Sequence, residues 1–327
     1  MTVGSVTSSG YALARRRAGA VSTTLNIGVV AAVLAVPLSF AARATALTPH
    51  APHWLLPIAL VALAVGVPHG AVDHLTFRSA LTVRQFAVLV LIYTFIAGLG
   101  AAAIIAAPVP SFLVVLAATV WHFGTGDAEA ASALHGTAPD SGLARVVLAL
   151  ALGSAPVLLP LTSPASTSTL ALIEPHLGQL VTPVTIVVVR TVVFVVIGIA
   201  LSMLIRRHQH RAALELVALT ALGCLASPLL AFAVYFGLWH ALRHTARLAQ
   251  HTYGYVSAET IGLTFRQGIP SLVGFVVVVG ILVSRSASFA SSGAWMWFGL
   301  AIMWGLTIPH MILVAAFDRR GRSTSAK

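Results

Sequence analysis

Acidic side chains are scarce in this chain. Its 327 residues include eight Asp and Glu, and charged residues of both signs make up 8% of the total. Water-soluble domains carry about 25%, so a soluble globular fold is excluded. Cysteine is scarcer still. Cys224 stands alone inside an apolar run, which rules out an intramolecular disulfide and leaves it a packing role. Also missing are a polar stretch long enough to fold separately, a convincing internal repeat, and a nucleic-acid-binding motif. The 19 Lys and Arg give a net charge of +11, but they gather at the ends of apolar segments, at Arg15–Arg17, Arg206–Arg211 and Arg319–Arg322. There they read as topology anchors facing anionic lipid.

Apolar residues are abundant, at 58%. A run of about 20 of them crosses a bilayer. Such runs lie near 25–47, 54–73, 86–107, 109–126, 143–163, 182–205, 212–230, 231–252, 267–285 and 294–317. The expected fold is therefore all-α, a polytopic transmembrane bundle of eight to ten spans, ten in the fullest count. Residues 1–24 read as a polar N-terminal tail, 25–317 as one transmembrane domain and 318–327 as a basic C-terminal tail. Ala42-Arg43-Ala44 after the first run also resembles a secretory cleavage site, although an uncleaved first helix is the expectation. With ten alternating spans every Arg cluster falls on one side, which places both termini in the cytoplasm of a multi-pass plasma-membrane protein. Counting 231–252 as a loop would put the C-terminal cluster outside. Residues 125–142 and 163–181 read as ordinary connections.

Histidine is the exception to the shortage of polar side chains, with thirteen residues. His240 and His244, four apart, fall on one face of a helix, where a single ion is within reach of both. His69 lies between Pro68 and Gly70 near a span end, where a broken helix is tolerated if it lines a cavity. Asp73, four residues on, is placed to accept its second N–H. His122 closes the fourth span beside Trp121, and His310 follows Pro309 in the tenth. In the ten-span reading all five histidines occupy spans that run outward to inward. His240 lies near mid-depth and the other four in the inner half. Buried imidazoles without partners are costly, so convergence on one site is the economical reading. Imidazoles without thiolates suit Fe, Cu, Zn or Ni. Trp121, Phe123, Tyr235, Phe236 and Trp239 are the candidate lining of a pocket for a long apolar substrate entering from membrane lipid.

Four motifs then carry a resemblance: Gly-Val-Pro-His-Gly-Ala-Val-Asp (66–73), His-Phe-Gly-x-x-Asp (122–127), Trp-His-x-x-x-His (239–244) and Pro-His-Met-Ile-Leu (309–313). In this order and spacing the chain resembles the bacteriorhodopsin-related-protein family of membrane β-carotene 15,15′-dioxygenases, from about residue 60 to residue 317. The resemblance implies an Fe(2+) enzyme that splits the central double bond of β-carotene with O2 into two retinal molecules, with a rhodopsin as a conceivable downstream acceptor. It also implies the iron ligands His69, His122, His240 and His244. Asp73, Asp127 and His310 would hold those ligands or gate the substrate. No acid or base catalyst beyond the ligands is required. The alternatives are cleavage of another carotenoid or apocarotenoid, a bis-histidine haem b electron carrier, and a transporter with broken helices. A di-iron desaturase would need more closely spaced histidine boxes than the one inside a span here.

Overall fold

A computed structural model of the chain describes residues 8–45, 61, 66–72, 81–135, 140–163, 166–285 and 292–325. Every regular element among them is helical. In chain order these are α1 (Ser8–Thr45), a helical stretch α2 (66–71), α3 (Val83–Ala106), α4 (Pro108–His135), α5 (Gly142–Leu161), α6 (Ser166–Ile173) and α7 (Pro175–Gly178). They continue with α8 (Pro183–Arg206), α9 (His210–Leu225), α10 (Pro228–Val234), a π-helical turn (Tyr235–Ala241), α11 (Leu242–Tyr253), α12 (Ala258–Arg285) and α13 (Ser292–Ser325).

The ends follow from local chemistry. Thr82 and Gln85 form a reciprocal capping box that opens α3: the Thr82 hydroxyl accepts from the Gln85 amide at 3.3 Å, and Gln85 Oε1 accepts from the Thr82 amide at 2.9 Å. Thr182 caps α8 ahead of Pro183, whose fixed φ suits the first helical position. Gly254, at φ +77°, ends α11 in the left-handed conformation that favours glycine.

Seven helices among the described residues are long and apolar enough to cross a membrane: Val21–Ala41, Val83–Ala106, Pro108–Leu134, Gly142–Leu161, Pro183–Arg206, Ala258–Val278 and Trp297–Arg319. The chain is thus a multi-pass membrane protein. The run 54–73 falls mostly outside the described residues. The runs 212–230 and 231–252, expected as two spans, are corrected. α9 has 16 residues and rises about 24 Å, short of a hydrocarbon core of about 30 Å. α11 packs Arg243, His244, Arg247, Gln250 and His251 into twelve residues. Together α9 and α10–α11 make a hairpin that turns at Ala226–Ser227, and Arg243 on the return leg donates to Glu215 on the outward leg at 2.9 Å. Losing two consecutive crossings leaves the relative sides of Arg206–Arg211 and Arg319–Arg322 unchanged.

The connection expected over 125–142 is also corrected, because α4 runs on to His135 and carries Thr125, Asp127 and Glu129 into the interior. What holds this extension is backbone contact with α5. A Cβ added at Gly124 would stand 1.7 Å from Ala149 O, and one at Gly153 1.9 Å from Val120 O. Small residues that let backbones meet are the usual means of packing helices in lipid. α3 and α13 meet similarly, a Cβ at Gly305 falling 2.5 Å from Ala97 O. In the core, Leu216, Leu219 and Leu222 of α9 pack with Ala151 and Ala155 of α5 and with Tyr235 and Trp239 of the π turn. α3 and α8 turn Leu91, Phe95, Val187 and Val188 outward.

Candidate metal centre

Five buried histidines from five segments face one another: His69 of α2, His122 of α4, His240 of the π turn, His244 of α11 and His310 of α13. The ring centroid of His69 lies 5.5 Å from His240, 5.6 Å from His244 and 5.1 Å from His310. His122 lies 5.4 Å from His240 and 4.9 Å from His310. His244 lies 5.7 Å from His310 and 6.4 Å from His240. With metal–nitrogen bonds of about 2 Å, two imidazoles on one ion have centroids about 4.5–6.5 Å apart. The rings share that neighbourhood. They do not form a closed coordination sphere: among the described residues no group of three His, Cys, Asp or Glu side chains meets ion-binding geometry.

Their hydrogen bonds give the donor direction. His69 Nδ1 is bonded to the Gly66 carbonyl oxygen, and a carbonyl only accepts, so Nδ1 carries the proton. His240 Nδ1 donates in the same sense to Asp127 Oδ1 at 2.9 Å. In both rings Nε2 then keeps a lone pair. The Nε2 atoms of His69, His122 and His240 are buried with no hydrogen-bond partner. Buried nitrogens in this state fit a metal ion and little else in an apolar bundle. Glycines make room for the rings: a Cβ on Gly126 would lie 3.1 Å from His240 Cε1, and one on Gly70 3.5 Å from His310 Nδ1.

The other candidate residues divide. Asp127 meets His240, as a ligand-holding residue should. Asp73 and the neighbouring His74 lie outside the described residues, and the partner of His69 Nδ1 is the Gly66 carbonyl. Phe123 and Phe236 line a cavity of about 330 Å³ with His69, His122 and His310 on its wall. Trp121, Tyr235 and Trp239 stand elsewhere. Trp121 faces outward at 41% exposure, Trp239 is buried beneath the Arg243 guanidinium, 4.0 Å from its ring, and the Tyr235 hydroxyl donates to Asp127 Oδ2 at 3.0 Å.

Much of the cavity wall comes from residues the sequence did not single out: Leu89, Val90 and Tyr93 of α3, Gln267 of α12, Met303 and Leu306 of α13. Apolar residues on a membrane helix look alike whether they face lipid or a cavity, so no sequence signal marked them. Val90 and Leu306 are both exposed and stand on α3 and α13, two of the helices long and apolar enough to cross a membrane, so among the described residues the cavity opens at a face of the bundle that would meet lipid.

A multi-pass helical bundle with a buried imidazole cluster on the wall of a lipid-facing cavity is the class that fold and site define. The chain belongs to the β-carotene 15,15′-dioxygenase family, whose profile matches residues 60–318. A Halobacterium salinarum protein named as the probable β-carotene 15,15′-dioxygenase Blh is 29% identical over 94% of this chain and 95% of its own length. No solved structure matches the chain.

Proposed function

We propose that the protein uses ferrous iron and O2 to cleave the central 15,15′ double bond of β-carotene, giving two molecules of retinal, in the plasma membrane with both termini cytoplasmic. The observation that carries this reading is the set of buried, unpartnered Nε2 atoms at His69, His122 and His240 beside a lipid-facing apolar cavity, in a chain of this family. His69, His122, His240 and His244 would hold the ion, with His310 the fifth ring at the same centre. Ferrous iron, when bound, supplies the one-electron chemistry through which ground-state O2 reacts with a polyene.

The protein's own part is ligation, dryness and register. Neutral imidazoles, with protons held on Nδ1 at His69 and His240, leave the charge of the ion unquenched. The cavity wall hides its polar groups: Tyr93 Oη donates to the Leu306 carbonyl at 3.1 Å and Thr307 Oγ1 to the Met303 carbonyl at 2.8 Å. Gln267 Nε2 likewise donates to Tyr253 Oη at 3.1 Å, and beyond the imidazoles and Ser271 the lining is mainly hydrocarbon, which suits a polyene and disfavours a translocation path for polar solutes. Holding one double bond against the imidazole cluster is the positioning on which such a rate enhancement depends. A bis-histidine haem would need a flat slot between two rings. Six of the ring pairs meet edge to face with centroids 4.9–5.7 Å apart, and the one near-parallel pair, His240 and His244, projects from successive turns of one continuous helix rather than from opposite sides of a slot.

Expression in bacteria that make β-carotene tests the proposal. Loss of orange colour with accumulation of retinal is the expected result. Unchanged pigment alongside correctly inserted, folded protein would overturn it.

A further inference from the structure

The π-helical turn has a specific geometric effect. In an α-helix, residues five apart lie about 140° around the axis and face different neighbours. Here Tyr235 and His240, five apart, both reach Asp127. The Tyr235 hydroxyl donates to Oδ2 at 3.0 Å and His240 Nδ1 to Oδ1 at 2.9 Å. Hydrogen bonding from i to i+5 widens the turn and stacks such residues on one side. All three side chains are essentially inaccessible to solvent.

A carboxylate so deeply buried is expensive unless its oxygens are satisfied. One is met by the histidine and the other by the tyrosine. Phe123 closes the remaining side, its ring centroid 4.4 Å from His240 and 5.3 Å from Tyr235. With both oxygens engaged, Asp127 has one orientation available, and His240 keeps its proton on Nδ1 and its lone pair on Nε2.

We propose that Tyr235 is a positioning residue for the metal centre. It acts through Asp127 to fix the tautomer and aim of His240, and the π turn is the backbone device that lets it do so. This rests on the reading of the histidine cluster as an iron site. Tyr235 does not line the cavity, so its removal alters metal binding first.

The test uses the purified full chain in detergent micelles under anaerobic conditions. Ferrous ion affinity is measured by competition with a chromogenic chelator, and the visible ligand-field spectrum is recorded with Co(II) in place of iron. Tyr235→Phe deletes one oxygen and keeps the ring. It lowers ferrous affinity about tenfold, the lower end of the range for loss of a group holding a metal ligand, and shifts the Co(II) bands. Asp127→Asn lowers affinity further. Because Tyr235 acts through Asp127, the double variant binds no more weakly than Asp127→Asn alone. Wild-type affinity and an unshifted spectrum in Tyr235→Phe overturn the proposal, as does a full additive loss in the double variant. A wild-type chain that takes up no ferrous ion overturns the iron reading and this proposal with it. Tight wild-type binding matched by Tyr235→Phe overturns this proposal alone.

Discussion

His122 and His310 meet edge to face, with ring centroids 4.9 Å apart and planes at 80°. They come from α4 and α13, far apart in the chain. His310 also lies 5.1 Å from His69 and 5.7 Å from His244. By resemblance it would support ligands or gate substrate, and its ring lies within the same cluster as the four expected ligands. His310→Ala is therefore expected to lower retinal formation by about a hundredfold, the upper end for loss of a ligand-holding group, whereas His208→Ala, at an exposed position, leaves it unchanged. Chromatographic assay of retinal from β-carotene in membranes decides, and wild-type activity in His310→Ala would place that ring outside the working site.

Glycines in α4 separate folding from function. A Cβ at Gly126 reaches 3.1 Å from His240 Cε1, so Gly126→Ala has to displace the ring by a few tenths of an ångström, whereas one at Gly124 meets Ala149 O at 1.7 Å. Gly126→Ala should accumulate in the membrane with activity down about ten- to a hundredfold, since small misplacements at a reacting centre are costly. Gly124→Ala should fail to accumulate. Immunodetection alongside the retinal assay reads both outcomes.

The cavity predicts a different phenotype. Leu306 and Val90 line it from α13 and α3, and neither carries an atom that binds a metal. Leu306→Trp or Val90→Trp fills the space, so β-carotene turnover falls at least about tenfold while ferrous binding stays as in the wild type. Parallel loss of iron would show that these residues support the centre itself.

A buried ion pair ties α11 to α13. Arg247 of α11 donates to Asp318 of α13 and lies over the Phe317 ring at 4.9 Å. Asp318→Ala leaves a buried guanidinium without its carboxylate, which costs about 3–5 kcal/mol. Thermal unfolding in detergent should show a clear loss of stability for Asp318→Ala. Replacing both partners with leucine should recover most of it, because the stranded charge is then gone.

The helical class and the histidine cluster were legible in the sequence for physical reasons. Twenty-residue apolar runs have few fates other than spanning lipid, and imidazoles are too expensive in an apolar bundle to be scattered at random. What the sequence did not show depends on neighbours. The hairpin of α9 with α10–α11 was hidden because Leu216, Leu219 and Leu222 are as apolar as lipid-facing residues, though they pack on α5. Asp127 fell in a stretch read as a connection and was marked as a ligand-holding residue by the resemblance alone, whereas Gly124 and Gly126 beside it serve close contact with Ala149 and His240 in a continuing helix. Tyr235 read as substrate lining because it is one of the aromatic residues beside the histidine motifs, and on an α-helical wheel it would stand apart from His240. Only the π turn brings the two together at Asp127.

Iron dependence tests the central claim most directly. The purified protein is stripped with a chelator, shown to remain folded, and reloaded with ferrous ion in the presence of β-carotene and O2. The account predicts that retinal formation vanishes on stripping and returns on reloading in the wild type, and does not return in His240→Ala. Retinal formation that survives stripping, or that His240→Ala supports at the wild-type level, would contradict it.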